Sequence, residues 1–508
     1  MIGRRSSLVG PSVKSVRRQR SFAWFVAASV VLFFALVVTV YAQVSTQGSG
    51  IALLVLLFAV VAAGVRPIWG VYAIVFFTLV GDGETAAWFP FAKNFSNQES
   101  LLYLSGALVI SPLEVLVAMT LLFSWLQRFG DRRSRPVKGP VFLATAAFTA
   151  FVFIGFLVGV GRGGDARIAL FEGRDLFLLL PIYALIVNHC DAMHLRRLVW
   201  TAVTAIFINS LFGLAYLRSL TPLQTETLEQ LGEHPASVHF NVVILLGIIL
   251  FLYGAGSRWM RLTLVAMTVP VGIVLLTAQR RAAIAALLVG VIIVVLSLWW
   301  QHRTKFLVIA PILLVGIAGY TAAFWNTTSS VGFPAQAVKS IVAEDQISED
   351  DRGSDTYRLI ENFDLNYTIR SAPLFGLGFG QKFYRPAELP DISFFEFYEY
   401  IPHNSILWIW IKTGFFGFVA MLLMFATVIR AGARSMVRSL DPVGSSFALV
   451  GVTYTFMFVV FAFVDIAWEP RSMVFLALSF ALCSQSERTT PQAAVESDAQ
   501  VEALQTVS

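Results

Sequence analysis

Charge is scarce in this chain of 508 residues. Asp, Glu, Lys and Arg together make up 13% of it, against about a quarter in soluble proteins. With 57% hydrophobic residues and a mean hydropathy of +0.73, that shortage excludes an ordinary soluble domain. Cysteine is nearly missing as well. Cys190 and Cys483 are the only two, so neither a disulfide framework nor a cysteine-based metal site can be assembled. There is no Pro-rich linker, no internal repeat and no paired acidic motif of the D-x-D type.

What fills the chain instead is a ladder of apolar runs near the ~20 residues that cross a bilayer, which implies spanning helices rather than a β-barrel. The spans are expected at 22–42, 51–65, 68–81, 103–126, 140–160, 176–189, 198–217, 238–256, 262–279, 282–300, 306–324, 405–428, 445–464 and 472–484. The first follows a basic stretch, lacks a small-residue cleavage site and exceeds a signal h-region, so it reads as a retained span. The fold class is all-α and polytopic, with twelve to fourteen transmembrane helices, the lower counts arising because 68–81 and 472–484 are short.

The positive-inside rule offers a separate reading of the same ladder. If the N-terminus is cytoplasmic, 22 of the 37 Lys and Arg but only seven of the 31 acids fall on inner segments, leaving 15 cations and 24 acids outside or within spans. The net charge of +6 is then a topology signal, with no case for nucleic-acid binding. The organisation expected is a basic cytoplasmic tail at 1–21, eleven spans within 22–324, a large extracytoplasmic loop at 325–404, three spans within 405–484 and a cytoplasmic tail at 485–508.

That long loop is the informative irregularity, because loops of such length are usually functional or disordered. Residues 326–355 are polar and acidic, whereas 356–404 mix aromatics, Arg and Gly, and YRLIENFDLNYTI predicts a short amphipathic helix on the outer membrane face. On it Leu359, Phe363, Asn366 and Tyr367 share one face beside Arg358. Gly376, Gly378 and Gly380 form a GxGxG without the flanking strand and helix of a dinucleotide site, and read as tight turns.

Several polar residues sit where chemistry is possible. Arg280 and Arg281 lie between two apolar segments; they either snorkel to outer headgroups or clamp an anion, since guanidinium forks match phosphate oxygens. Adjacent helical residues point about 100° apart, so one of the two is expected to face a given cavity. Taken alone, Arg358 fits a surface ion pair better than a ligand contact. In PHNSIL, Asn404 or Ser405 can cap the following helix, and His403 is either incidental or a proton acceptor. Lys412, about 12 Å deeper at 1.5 Å per residue, reads as a lysine snorkelling up to the outer interface. Gly414 and Gly417 permit close helix contact. The charges Asp465, Glu469 and Arg471, and those at 162–175, read as solvated turns, with Arg174 able to add to a cationic cavity. Glu114 is the one acid that a transporter or flippase reading can point to at mid-membrane.

Taken together, TAQRRAA (277–283), YRLIEN (357–362), PLFGLGFG (373–380), and HNSIL with GFFG (403–417) resemble, in their order, the motifs of the O-antigen ligase and Wzy-type polymerase superfamily of bacterial envelope proteins. The resemblance covers roughly 270–425. Two departures stand out: Gln279 occupies a position where Ser is common, with the doubled arginine leaving open which is the family's, and Lys412 sits where many relatives carry an acid. The resemblance implies a multi-pass protein of the bacterial cytoplasmic membrane, both termini inside. Its implied activity moves a saccharide from an undecaprenyl-diphosphate carrier to a glycan or lipid acceptor, with no cofactor and no metal, alongside other polysaccharide-assembly proteins. In that reading His403 and Arg358 are catalytic, Arg280, Arg281, Arg174 and Lys412 hold the diphosphate, and Asn404 caps or orients. Ligase and polymerase are not separated.

Overall fold

The computed structural model describes residues 47–106, 109–129, 139–221, 231–327, 329–343, 349–390, 397–439 and 441–485. The span expected at 22–42, the tail at 1–21 and nearly all of the tail at 485–508 lie outside the described residues. Regular structure among the described residues is helical throughout: α1 Gln47–Val65, α2 Pro67–Val80, α3 Pro112–Phe129, α4 Pro140–Gly161, α5 Ala166–His189, α6 Ala192–Ser219, α7 Ala236–Leu252, α8 Arg258–Thr277, α9 Arg281–Gln301, α10 Arg303–Ala323, α11 Phe333–Val342, α12 Glu349–Ser371, α13 Ser405–Arg438, α14 Pro442–Val464 and α15 Pro470–Cys483.

Seven of these, α4, α6, α8, α9, α10, α13 and α14, are long and apolar enough to cross a membrane, and shorter apolar stretches occur in α1, α2, α7 and α15. The protein is therefore a multi-pass helical membrane protein. Local chemistry sets where helices start. Proline opens α2, α4, α14 and α15, where its missing N–H and fixed φ cost nothing. Asp165, Asp191, Ser257 and Asp441 accept hydrogen bonds from first-turn N–H groups of α5, α6, α8 and α14.

Two expected spans shift for such reasons. The run at 103–126 does not start a helix until Pro112, because Ser111 and Glu114 close a reciprocal cap in which Ser111 N–H donates to the Glu114 carboxylate over 2.6 Å. That places Glu114 in the first turn of a helix rather than within the expected run. The run at 176–189 begins ten residues earlier, since Asp165 caps a polar first half that hydropathy alone misses. The helix expected to be short on the outer loop is α12, 23 residues long.

The core is richest at α14 and α15. Every side chain from Arg471 to Cys483 is buried, and α13 packs on both α4 and α14. By contrast α10 buries no residue. Between α10 and α13 the chain folds back through α11, α12 and the PLFGLGFG turn, and this turn is inserted into the helix layer. Gly378 has φ +90° and backs onto α4 so closely that an added Cβ would lie 2.2 Å from the Gly159 backbone nitrogen. The GxGxG glycines thus answer to neighbouring helix backbone.

α13 receives that turn through a break. Gly414 adopts φ 71°, ψ −176°, which ends one helix at 413 and starts another at 415. Leu377 N–H donates to Ile411 O (2.7 Å), and Phe415 N–H donates to Pro373 O (2.9 Å), so loop backbone takes over the interrupted helical bonds. A side chain at Gly414 would meet Leu374 O at 2.2 Å. Gly414 therefore breaks the helix, whereas Gly417 is a point of close contact, with Phe151 of α4 3.2 Å from a built Cβ.

Candidate active site

The first half of α13, residues 405–413, aims its N-terminus at a cluster of charged side chains. Asn404 Oδ1 accepts from Leu407 N–H (3.0 Å), and Asn404 Nδ2 donates to Asn362 of α12 (2.9 Å). Asn404 is therefore a cap and also a tether to α12. Ser405 Oγ donates to Asp465 O and accepts from Ala467 N–H, and Trp468 Nε1 donates to Ser405 O. These bonds fix the start of the half-helix to the α14–α15 corner.

His403, just ahead of the cap, is held twice by one carboxylate. Its backbone N–H donates to Glu361 Oε2 (3.0 Å), and its Nδ1 lies 3.2 Å from Glu361 Oε1. Glu361 is 1% exposed, so the pair is shielded from competing water. The Tyr357 ring meets the imidazole edge-on at 5.5 Å. Nε2 of His403 finds no hydrogen-bond partner among the described residues, and the side chain keeps 26% of its surface open.

Three arginines are tied into neighbouring charged networks. Arg281, the first residue of α9, grips Asp355 with both guanidinium nitrogens (3.0 and 2.9 Å), and Arg358 Nη1 approaches the same Asp355 at 3.6 Å. Arg280 points elsewhere: its Nη1 lies 2.9 Å from His234 Nδ1, which is itself 2.9 Å from Asp465 Oδ1. Sequence periodicity predicts that only one of the pair faces a cavity, yet both enter the cluster. Arg280 is not helical but extended, with φ −95° and ψ 101°, so the 100° rule does not apply to it. Gln279 before it takes φ 50°, the one left-handed non-glycine residue among those described.

Burial pushes the Asp465 carboxyl up, but the adjoining His234 and the charges of Arg280 and His403 more than reverse this and hold it at about 2. The same residue thus feels both histidines. Asp465 and Arg471, read from sequence as solvating a turn, are buried instead, at 2% and 6% exposure. Arg471 binds Asp82 at 2.9 Å and also pairs with Glu233, tying α15 to the segments after α2 and before α7.

Two expected diphosphate ligands do not join the group. Lys412 is completely buried. Its ammonium lies 2.7 Å from Glu172 of α5 and donates to Gln381 O at 2.7 Å, while Glu172 also accepts from Gly380 N–H. It joins the glycine turn to α5 through a buried ion pair rather than snorkelling to the interface. Arg174 donates to Val109 O (3.0 Å) and to Asn94 (2.7 Å) and lies 3.6 Å from Asp175, in a separate polar patch on α5. Glu172, Arg174 and Asp175, expected in a loop, are all helical because Asp165 starts α5 early.

Glu361, Asp355 and His234 were absent from the sequence-derived set. Glu361 was legible in principle, since Tyr357, Glu361, Leu365 and Thr368 recur at helical spacing and all are buried. His234 precedes an apolar helix beside a proline, as His403 does, but nothing in one sequence pairs it with Asp465. Among the described residues no group of three or more His, Cys, Asp or Glu side chains is arranged to hold a metal ion.

The geometry describes a multi-pass helical membrane protein with a carboxylate-held imidazole and a guanidinium cluster at a capped half-helix. Residues 262–422 match the family model described as O-antigen ligase, so the chain is similar to that family over this stretch. A curated relative, an O-antigen ligase from Salmonella typhimurium strain LT2, is 26% identical over 171 residues, or 32% of this chain. That alignment spans 38% of the relative's length. Arg280, Arg281, Arg358, Glu361, His403 and Lys412 fall inside the matched residues, whereas His234 and Asp465 fall outside them.

Proposed function

We propose that this protein transfers a saccharide from an undecaprenyl-diphosphate carrier to an acceptor hydroxyl on the outer face of the cytoplasmic membrane. The observation that carries the proposal is the clamp of Glu361 on both the backbone N–H and Nδ1 of His403, which leaves Nε2 available and ties His403 to the helix that also carries Arg358.

In this reading the acceptor oxygen attacks the anomeric carbon while the bond from that carbon to the diphosphate oxygen breaks. The acceptor proton passes to His403 Nε2, and Glu361 stabilises the imidazolium so formed. The negative charge left on the lipid diphosphate is met by Arg358, Arg281 and Arg280, and by the positive end of half-helix 405–413. Without substrate, Asp355 neutralises Arg281 and Arg358, so diphosphate binding displaces one carboxylate with a better bidentate anion. Lys412 and Arg174 take no part in the chemistry. The cluster then lies on the outer face, with both termini cytoplasmic, and the partners are the lipid-linked oligosaccharide and a glycan or lipid acceptor.

The test is surface-polysaccharide gel analysis together with lipid-linked intermediates in a deletion strain carrying each variant. Arg358→Ala and His403→Ala are expected to abolish product at unchanged protein level; full activity in both sinks the proposal. In the deletion strain, single repeats on the acceptor indicate a polymerase, and stranded lipid-linked polymer indicates a ligase.

A further inference from the structure

At the end of α13 remote from His403, a second feature has no place in the transfer chemistry. α9 and α13 both pack against α14, and between their last turns lies a cavity of about 440 Å³ bordered by Ser297, Trp300 and Gln301 on one side and Arg430, Arg434 and Arg438 on the other. The arginines fall at i, i+4 and i+8, so one helix face presents all three. None of them has an ion-pair or hydrogen-bond partner among the described residues. The nearest acid along the chain, Asp441, is already engaged by Arg196 and by the Val443 and Gly444 N–H groups.

Three like charges in a row repel one another, and a solvated row needs no cavity. Exposed apolar side chains lie further along the same two helices. Leu296 and Ile292 stand exposed about one and two turns before Trp300 on α9, and Leu423 stands exposed seven residues before Arg430 on α13. Trp299 and Trp300 are also exposed, as expected of rings at the headgroup level. A ligand for this groove must carry concentrated negative charge at one end and a hydrocarbon chain at the other.

We infer that the groove between the ends of α9 and α13 binds an anionic glycerophospholipid, its phosphate on Arg430, Arg434 and Arg438 and an acyl chain along Ile292, Leu296 and Leu423. Guanidinium forks suit phosphate oxygens, and each basic residue near an anionic headgroup favours binding by about fivefold. The inference does not rest on the proposed transfer reaction.

The experiment is native mass spectrometry of the full-length detergent-purified protein titrated with phosphatidylglycerol, phosphatidylcholine or inorganic phosphate. Wild-type protein is expected to retain phosphatidylglycerol at least tenfold better than phosphatidylcholine. Each of Arg430→Gln, Arg434→Gln and Arg438→Gln should lower that retention about fivefold, while the pair Arg258→Gln/Arg261→Gln, outside the cavity lining, leaves it unchanged. The groove arginines are exposed, so an unaltered melting temperature will show that the variants fold. Equal loss in the control pair would mean general surface charge and overturn the inference, as would equal retention of both lipids. Competition by inorganic phosphate alone, with no lipid retained, would assign a free-anion site and overturn it too. Retention that emerges only after residues 489–508 are removed would make the chain's own acidic tail the occupant.

Discussion

One carboxylate sets both the position and the ring orientation of His403, so the residue scale holds the sharpest test of the site. Glu361→Gln keeps an acceptor for the backbone N–H but removes the charge opposite Nδ1. Activity should fall about 100-fold, the ordinary worth of a positioned base, with folding retained; an unchanged rate would leave Glu361 a mere anchor. Gln279 offers an independent check on backbone strain. Its φ of 50° costs a residue with a side chain about 1 kcal/mol that glycine avoids. Gln279→Gly is therefore expected to raise the melting temperature in detergent, and a lower one would show that the Gln279 side chain does more than tolerate the turn. Sequence reading singles out His403, Arg358, Arg280 and Arg281 as candidates because ionisable side chains stand out in an apolar chain. It missed Glu361 and His234, whose importance depends on which carboxylate or ring the fold brings opposite them.

At the scale of elements, the fully buried Lys412–Glu172 pair joins α13 to α5 and fixes the turn that feeds α13. Removing one partner strands a buried charge and costs about 3–5 kcal/mol, whereas replacing both with apolar residues of similar volume is close to neutral. Lys412→Met and Glu172→Leu should each depress the yield of folded protein, and the double variant should recover it, as read by size-exclusion profiles. Recovery would separate a structural pair from a ligand site, because a lost ligand contact would not return with the second substitution. Gly414→Ala should fail outright, since a methyl group there would sit 2.2 Å from Leu374 O. Thirteen of the expected spans overlap described helices, since hydrophobic length is a local property. The errors came where it competes with another signal: Asp165 extending α5 into polar sequence, Pro112 delaying α3, and Gly414 splitting α13.

For the molecule as a whole, buried charges knit together segments far apart in sequence. Asp82, Glu233 and Arg471 join the α2–α3 and α6–α7 connections to the first turn of α15, and His234, Arg280 and Asp465 join the α6–α7, α8–α9 and α14–α15 connections. The pH dependence follows from Asp465, whose folded-state value of about 2 lies below the ordinary 3.8. A depressed carboxyl stabilises the fold above its unfolded-state value and loses that contribution as pH falls through the folded one. About 2 kcal/mol should thus disappear between roughly pH 4 and pH 2. Thermal unfolding in detergent from pH 6 to pH 2 should show a drop confined to that window for wild type and reduced in Asp465→Asn. This network is the least legible feature of the sequence, because its members come from connections that each look like solvated turns.

The interrupted helix α13 also constrains the order in which the protein is made. Its break depends on carbonyl and amide groups supplied by residues 373–377, which leave the ribosome before residues 411–415 do. Under the proposed topology, the loop must already be across the membrane when α13 inserts, and the free backbone groups at the break stay costly until the turn docks. Insertion of α13 and folding of the loop are then a single event. Shortening the polar stretch ahead of α12 should trap the protein as an immature, protease-sensitive form during biogenesis, even where the finished site would have been intact.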